Sequence, residues 1–269
     1  MLALILVAAC SREDQRIDPS VLAPRLLQDE AEIATYVATF PAGAYRIYNV
    51  PAVGSFYVDD PQDLIKQWLV QGMVWEPHIL ELLRRHARPG SVVVDVGAHI
   101  GVHTLSLATL VGAQGIVYAF EPQRKIYREL VHNLRLNGAA NVVPLRFALG
   151  AQSAIEEMNP ATARSEGSTG VGAGGDRVEM RTLDSFGLRN LSLLKIDVEG
   201  FEDNVLDGAR ETIARNRPVI VIEIQGDFAY VTAPPPIRQR IERTMRKLED
   251  LGYSLQLIKG ADYLALPTR

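Results

Sequence analysis

Cysteine is almost missing from this chain of 269 residues: Cys10 stands alone. One thiol excludes an internal disulfide framework and any zinc site with several cysteine ligands, and it fits a reducing compartment. An excess of positive charge is lacking too. Lys and Arg number 28 against 32 Asp and Glu, the net charge is −4, and the basic residues are scattered. Such a chain carries no electrostatic footprint for a phosphate backbone, so nucleic acid is not expected as its partner. Long apolar runs are also lacking. The longest, "LALILVAAC" (2–10), falls well short of the ~20 residues of a membrane span, so no transmembrane span is expected. Hydrophobic residues nevertheless make up 47% of the chain, enough for one large α/β core or two small ones.

The run before Cys10 ends in small residues and resembles a bacterial lipoprotein cleavage box, which would make an exported protein lipid-anchored through Cys10. No Lys or Arg precedes it, as a signal peptide requires. The competing reading is a start-site artefact or a short apolar helix end, with the protein in the cytoplasm.

Residues 1–60 read as an N-terminal extension in which "YRIYNV" (45–50) and "SFYVDD" (55–60) form a short β pair. Residues 61–269 read as the main domain. From Pro61 to His86 apolar residues recur at helical spacing, interrupted by Gly72 and Pro77, which predicts two helices covering one edge of a sheet. A regular alternation follows: "SVVVDV" (91–96), helical "GVHTLSLATLVG", "GIVYAF" (115–120), helical "RKIYRELVHNLRLNG", and "NVVPLRFAL" (141–149) as a third strand. "LSLLKIDV" (191–198) and "RPVIVIEI" (217–224) add two strands around one helix, "EDNVLDGARETIARN". Continuous β-branched runs without polar alternation, separated by helices, imply a parallel sheet covered on both faces: a doubly wound α/β fold. The chain closes with a helix and a hairpin, "YSLQLI" and "DYLAL", so the sheet should end mixed. The Gly/Ser-rich stretch 159–176 reads as a flexible hairpin loop or as a mobile flap over a site, and composition does not separate the two.

Ligands of open parallel sheets bind beyond the carboxyl ends of the strands, so the turn after "VVVDV" is a candidate cofactor seat. A dinucleotide would call for G-x-G-x-x-G, but His99 stands where the second glycine belongs and Val102 where the third belongs. What is present is D-x-G-x-x-x-G: Asp95, Gly97, Ala98, His99 and Gly101. Nothing there favours a pyrophosphate. Glu121 ends the next strand and can accept hydrogen bonds from both hydroxyls of a ribose. Asp95 can receive a cationic amino group or orient the loop. A ribose without a pyrophosphate, together with an amino acid end, describes S-adenosyl-L-methionine. The bland alternative makes Asp95 and Glu121 caps of the helices that follow them.

The string "VWEPHILELLRRHARPGSVVVDVGAHIGVHTL", then "AFEP", "TLDSF", "LLKIDVEGFEDNVLDGA", "PVIVIEI" and "GADYLAL" resembles the FkbM-type S-adenosylmethionine-dependent methyltransferases in order and spacing. The resemblance runs from about residue 60 to residue 266. It implies a class I methyltransferase (Rossmann-like) sheet of about seven strands, mostly parallel with the last antiparallel, and O-methylation of a small-molecule, sugar or glycan hydroxyl. It also places Trp75 and Glu76 over the cofactor pocket. Many relatives carry asparagine where this chain has His99.

Methyl transfer to a hydroxyl needs alignment of donor and acceptor and removal of a proton, by a base or with a metal. Asp197 and Glu199 of "KIDVEG" and Glu223 at the next strand end are the catalytic candidates, expected to converge on the acceptor side. Carboxylates suit Mg²⁺ or a similar hard cation, but no histidine or further aspartate at ligand spacing joins them, so the metal-independent version is preferred. The competing readings make Glu199 a helix-dipole charge and Glu223 a solvated strand end. His103 reads as a helix-start side chain bonded to backbone, and Tyr118 and Phe120 as sheet core. The rival classes are another nucleotide-cofactor enzyme, such as an oxidoreductase, and a non-catalytic cofactor-binding module.

Overall fold

The computed structural model describes residues 34–160, 166, 169–224, 226 and 231–268. Cys10 with its apolar run, and part of the 159–176 stretch, lie outside the described residues. No helix among the described residues is long and apolar enough to cross a membrane.

Strands β1 (Arg46–Val50) and β2 (Gly54–Val58) form the expected antiparallel pair. Helices α1 (Leu64–Val70) and α2 (Pro77–His86) follow, separated at Gly72, which has φ 67°. Then come β3 (Val92–Val96), α3 (Val102–Val111), β4 (Ile116–Phe120), α4 (Arg124–Leu136) and β5 (Val142–Leu145). Every residue of β3 and β4 is buried, which is why their sequences show no polar alternation. Tyr118 and Phe120 are core residues.

The hairpin is tied to α4 by side-chain amides. Asn137 accepts from the Ser55 N–H at 2.8 Å and donates to the Ser55 carbonyl at 2.7 Å, while Asn133 accepts from the Tyr57 N–H at 2.9 Å. These amides satisfy backbone groups that β2, with a partner on one side only, would leave open. Val50, Phe56 and Val58 enter the same apolar cluster as α3 and α4.

The run 141–149 is not one strand. β5 keeps Val142–Leu145 at the sheet edge, where Pro144 costs no ladder bond on its open side. Ala148–Leu149 (β6) departs to a second, four-stranded sheet with β7 (Ala154–Met158), β8 (Val171–Gly172) and β9 (Arg177–Arg181), in the order β6-β9-β7-β8. β10 (Leu191–Ile196) returns to the main sheet, followed by α5 (Glu202–Asp207), α6 (Arg210–Asn216) and β11 (Val219–Glu223). One helix was expected between β10 and β11. It breaks at Gly208, where a Cβ would lie 1.9 Å from the Gly150 carbonyl oxygen, so the approach of the second sheet demands glycine there.

α7 (Pro235–Asp250), β12 (Tyr253–Lys259) and β13 (Asp262–Pro267) complete the chain. The main sheet has seven strands in the order β12-β13-β11-β10-β3-β4-β5, and β13 runs antiparallel to both of its neighbours. Apolar clusters fill both faces: Val92, Val94 and Val96 point to one, Val93 to the other.

Candidate active site

The turn after β3 is built by two close approaches. Gly97 has φ 79°, and a Cβ there would lie 1.8 Å from the Asp197 carbonyl oxygen, so only glycine lets the ends of β3 and β10 meet. Gly101 has φ 97°, with a Cβ position 2.9 Å from Leu130. The Gly97 and Ala98 N–H groups both donate to the Phe120 carbonyl at 3.0 Å. His99, itself at φ 50°, donates its N–H to Glu121 Oε2 at 3.0 Å, and Gln123 donates to Oε1 at 2.9 Å.

Glu121 is therefore fixed by two backbone donors and still has lone pairs to offer. Burial pushes its carboxyl up to about 7 in spite of those donors. It lines an open cleft with Gly97, Asp197 and Glu199, walled by Phe120, Phe147, Leu149, Met158, Val198 and Phe201. Thr169 and Gly170, from the stretch read as loop or flap, line the same cleft. Both ring nitrogens of His99 are buried and unpartnered, and burial lowers its imidazole to about 4.

Asp95 does not line that cleft. Strand alternation turns it to the Val93 face, where Thr104 of α3 donates to it at 2.7 Å and Lys195 lies at 3.3 Å. Its carboxylate holds the framework of the turn. The register of β10 against β3 sets Lys195 opposite Asp95, and the same ammonium reaches Asp197 at 3.2 Å. Burial works to remove the Lys195 proton, but Asp197, Asp95 and Glu76 hold its pKa above the ordinary lysine range.

A second, smaller pocket lies beyond Asp197, lined by Glu76, Lys195, Asp197, Glu223 and Asp262 with apolar neighbours. Antiparallel pairing of β11 and β13 sets Glu223 opposite Asp262. Burial, then Asp197, raises Glu223 to about 10, and the two carboxyls share a hydrogen bond. Burial opposes ionisation of Asp197, yet Lys195 and the bond from Glu223 bring it below its ordinary value. One carboxyl of the pair thus carries the proton and the other the charge. Glu76, in the left-handed region at φ 46° ahead of α2, is raised to about 8 by burial and then by Asp197. His78 Nε2 pairs with Asp262 at 2.6 Å.

Two assignments change place. Glu76, expected among the cofactor contacts, stands at left-handed φ just before α2 and lines the pocket beyond Asp197. Glu199, grouped with Asp197 and Glu223 on the acceptor side, lines the larger cleft, because the chain turns through left-handed φ at Glu199 and Gly200 after β10 ends. Lys195, His78 and Asp262 are additions. A lysine inside "LSLLKI", a strand run otherwise without charge, was the visible signal for the first.

A separate cluster joins Asp59, Lys66 of α1, Lys125 and Glu129 of α4, and Glu166. Lys66 is fully buried and contacts Asp59, Glu129 (3.1 Å) and Glu166 (2.6 Å). Lys125 contacts the same three at 2.7, 3.0 and 2.6 Å. Among the described residues, Asp59, Glu129 and Glu166 are the one trio spaced for a metal, and two ammonium groups occupy the space between them.

The parallel sheet with one antiparallel strand, the glycine turn and the strand-end acids define a class I methyltransferase. The chain belongs to the methyltransferase FkbM domain family, whose model matches residues 95–255, more than half of its length. Its cofactor is S-adenosyl-L-methionine. Among curated relatives, the hexuronic acid methyltransferase AglP of Haloferax volcanii is 27% identical over 166 residues, 60% of this chain and 67% of that protein. Protein-L-isoaspartate O-methyltransferase 1 of Arabidopsis thaliana is 29% identical over 86 residues, 32% of this chain and 37% of that protein. Among solved structures, methyltransferase FkbM from Methylobacillus flagellatus KT is 17% identical with a TM-score of 0.47, over 95% of this chain and 63% of that one. The chain thus spans less than two thirds of the Methylobacillus protein.

Proposed function

We propose that this methyltransferase acts on oxygen, transferring a methyl group to a hydroxyl of a small molecule, sugar or glycan. The observation that carries the reading is Asp197. It is the acidic residue common to the walls of the cofactor cleft and of the pocket beyond it, ionised beside a Glu223 that holds the proton. The name of the Haloferax relative, a methyltransferase of a sugar acid, points the same way.

The cleft suits the cofactor: the Glu121 carboxylate for the ribose hydroxyls, the Gly97–Gly101 turn with Ala98 and His99 beside it, and an apolar wall for the base. When bound, S-adenosyl-L-methionine supplies an electrophilic methyl on a sulfonium. The chain's own part is to orient the acceptor hydroxyl and take up its proton. Asp197 accepts a hydrogen bond from that hydroxyl, and Glu76, raised to about 8, is matched to hold a proton near neutral pH. A cytoplasmic location, where the cofactor is made, belongs to the same proposal.

The test is transfer from cofactor carrying a ¹³C-methyl group to a panel of hydroxylated acceptors. An O-methyl resonance in the product is expected. Label appearing on nitrogen or carbon would contradict the reading.

A further inference from the structure

The second sheet supplies part of the lining of the cofactor cleft. Ala148 and Leu149 of β6, Met158 of β7 and Val171 of β8 take part, together with Thr169 and Gly170 just ahead of β8. Of these six, Thr169 alone has a side chain that forms hydrogen bonds. It is only 8% exposed, and among the described residues its Oγ1 has no partner. A buried hydroxyl left unpaired costs free energy, and folded proteins keep few of them without a ligand or an ordered water to complete the bond.

The backbone fixes Thr169 where it stands. A Cβ on Gly170 would lie 2.7 Å from the Glu199 carbonyl oxygen, so the chain comes this close to the end of β10 only because residue 170 has no side chain. The Gly170 carbonyl accepts from the Asn159 N–H at 3.0 Å, and Val171 pairs with Met158. Three residues upstream, Glu166 donates its N–H to Asp63 at 3.0 Å and accepts from Lys66 and Lys125 at 2.6 Å. Thr169 therefore lies between two fastened points.

We infer that Thr169 is a cofactor-binding residue, whose hydroxyl bonds the polar edge of the adenine base of S-adenosyl-L-methionine. The inference rests on the reading that this cleft seats the cofactor with its base against the apolar wall, and it is independent of the methylated atom. Leu149, Met158 and Val171 can pack on the base but cannot bond its ring nitrogens or its exocyclic amine. The Thr169 hydroxyl, donor and acceptor at once, can bond either. The stretch read from composition as loop or flap then carries a binding residue.

Thr169→Val exchanges the hydroxyl for a methyl of nearly the same shape and provides the test. In calorimetry on the full chain, S-adenosylhomocysteine and 5′-methylthioadenosine, which lacks the amino acid end, should both bind about three- to tenfold more weakly to this variant. Thr169→Ser, which keeps the hydroxyl, should bind both nearly as the natural protein does. Without ligand the valine variant should melt at the same temperature or higher, because it has lost a polar group that had no partner. Unchanged affinity in Thr169→Val, a loss confined to S-adenosylhomocysteine, or an equal loss in Thr169→Ser would each overturn the inference. So would a lower melting temperature of the ligand-free valine variant, which would mean that the hydroxyl is bonded within the protein. Glu121→Ala in the same series separates the two readings. If it weakens binding and Thr169→Val does not, the inference fails alone; if neither does, the cofactor seat is wrong as well.

Discussion

Two of the buried groups of charged side chains among the described residues are built on opposite plans. Around Lys66 and Lys125, each of three carboxylates touches both ammonium groups, so all six possible pairs are made. Around Lys195, one ammonium serves Asp95 and Asp197, while among the described residues Glu76 and Glu223 have no Lys or Arg within contact distance. The first group stitches together Asp59, α1, α4 and Glu166. The second leaves a proton shared between Asp197 and Glu223. Complete pairing makes buried charge structural. Incomplete pairing leaves Glu76 raised to about 8 by burial and by Asp197, within the range in which protons are exchanged.

Removing one member of the completed group should have the largest effect on stability. Lys66→Met keeps most of the volume but leaves Asp59, Glu129 and Glu166 facing one lysine, and should lower the free energy of unfolding by about 3–5 kcal/mol in urea titration. A loss below about 1 kcal/mol would mean that the cluster is solvated and the contrast is false. Next comes Glu121→Ala, expected to weaken S-adenosylmethionine binding by about 1–3 kcal/mol in calorimetry through lost charge-assisted hydrogen bonds. Unchanged affinity would remove Glu121 from the ribose.

A smaller effect concerns pH. The Glu223 carboxyl is raised to about 10 in the folded protein, above its unfolded value of about 4.3, so between those values the native state binds the extra proton. Its contribution to stability is fully present below the unfolded pKa and is lost progressively as pH rises toward the folded one. Glu223→Gln should therefore flatten the decline of melting temperature from mildly acidic to alkaline pH, and an unaltered slope would mean that Glu223 is ionised throughout. Smallest of all is the response to EDTA, expected to be nil if proton transfer runs through the paired carboxyls as proposed. Loss of activity with recovery in Mg²⁺ would assign Asp197 to a metal instead.

The sheet was legible because burial on both faces leaves a mark, a β-branched run without alternation, and the terminal hairpin announced its antiparallel strand. The Gly97 turn was legible because a backbone approach of this kind admits one residue type. For Asp95 sequence left two readings open, an amino-group partner or a residue that orients the loop; the period of two sends it toward Thr104, which fits the second. The Lys66 cluster left no trace. Its members sit at 59, 66, 125, 129 and 166, and a lysine on an amphipathic helix reads as solvent-facing until its neighbours are known. Glu76 lacked a signal of its own, since its position depends on a left-handed residue ahead of α2 that sequence periodicity does not encode.

The claim at the centre of this account is that the ionised member of the Asp197–Glu223 pair handles the acceptor proton. Asp197→Asn keeps the shape and removes the charge. Single-turnover methyl transfer by this variant, measured with its cofactor affinity in the same sample, should be slower by roughly 10²-fold or more while binding of S-adenosylmethionine stays nearly intact. A near wild-type rate on a working acceptor would contradict the account.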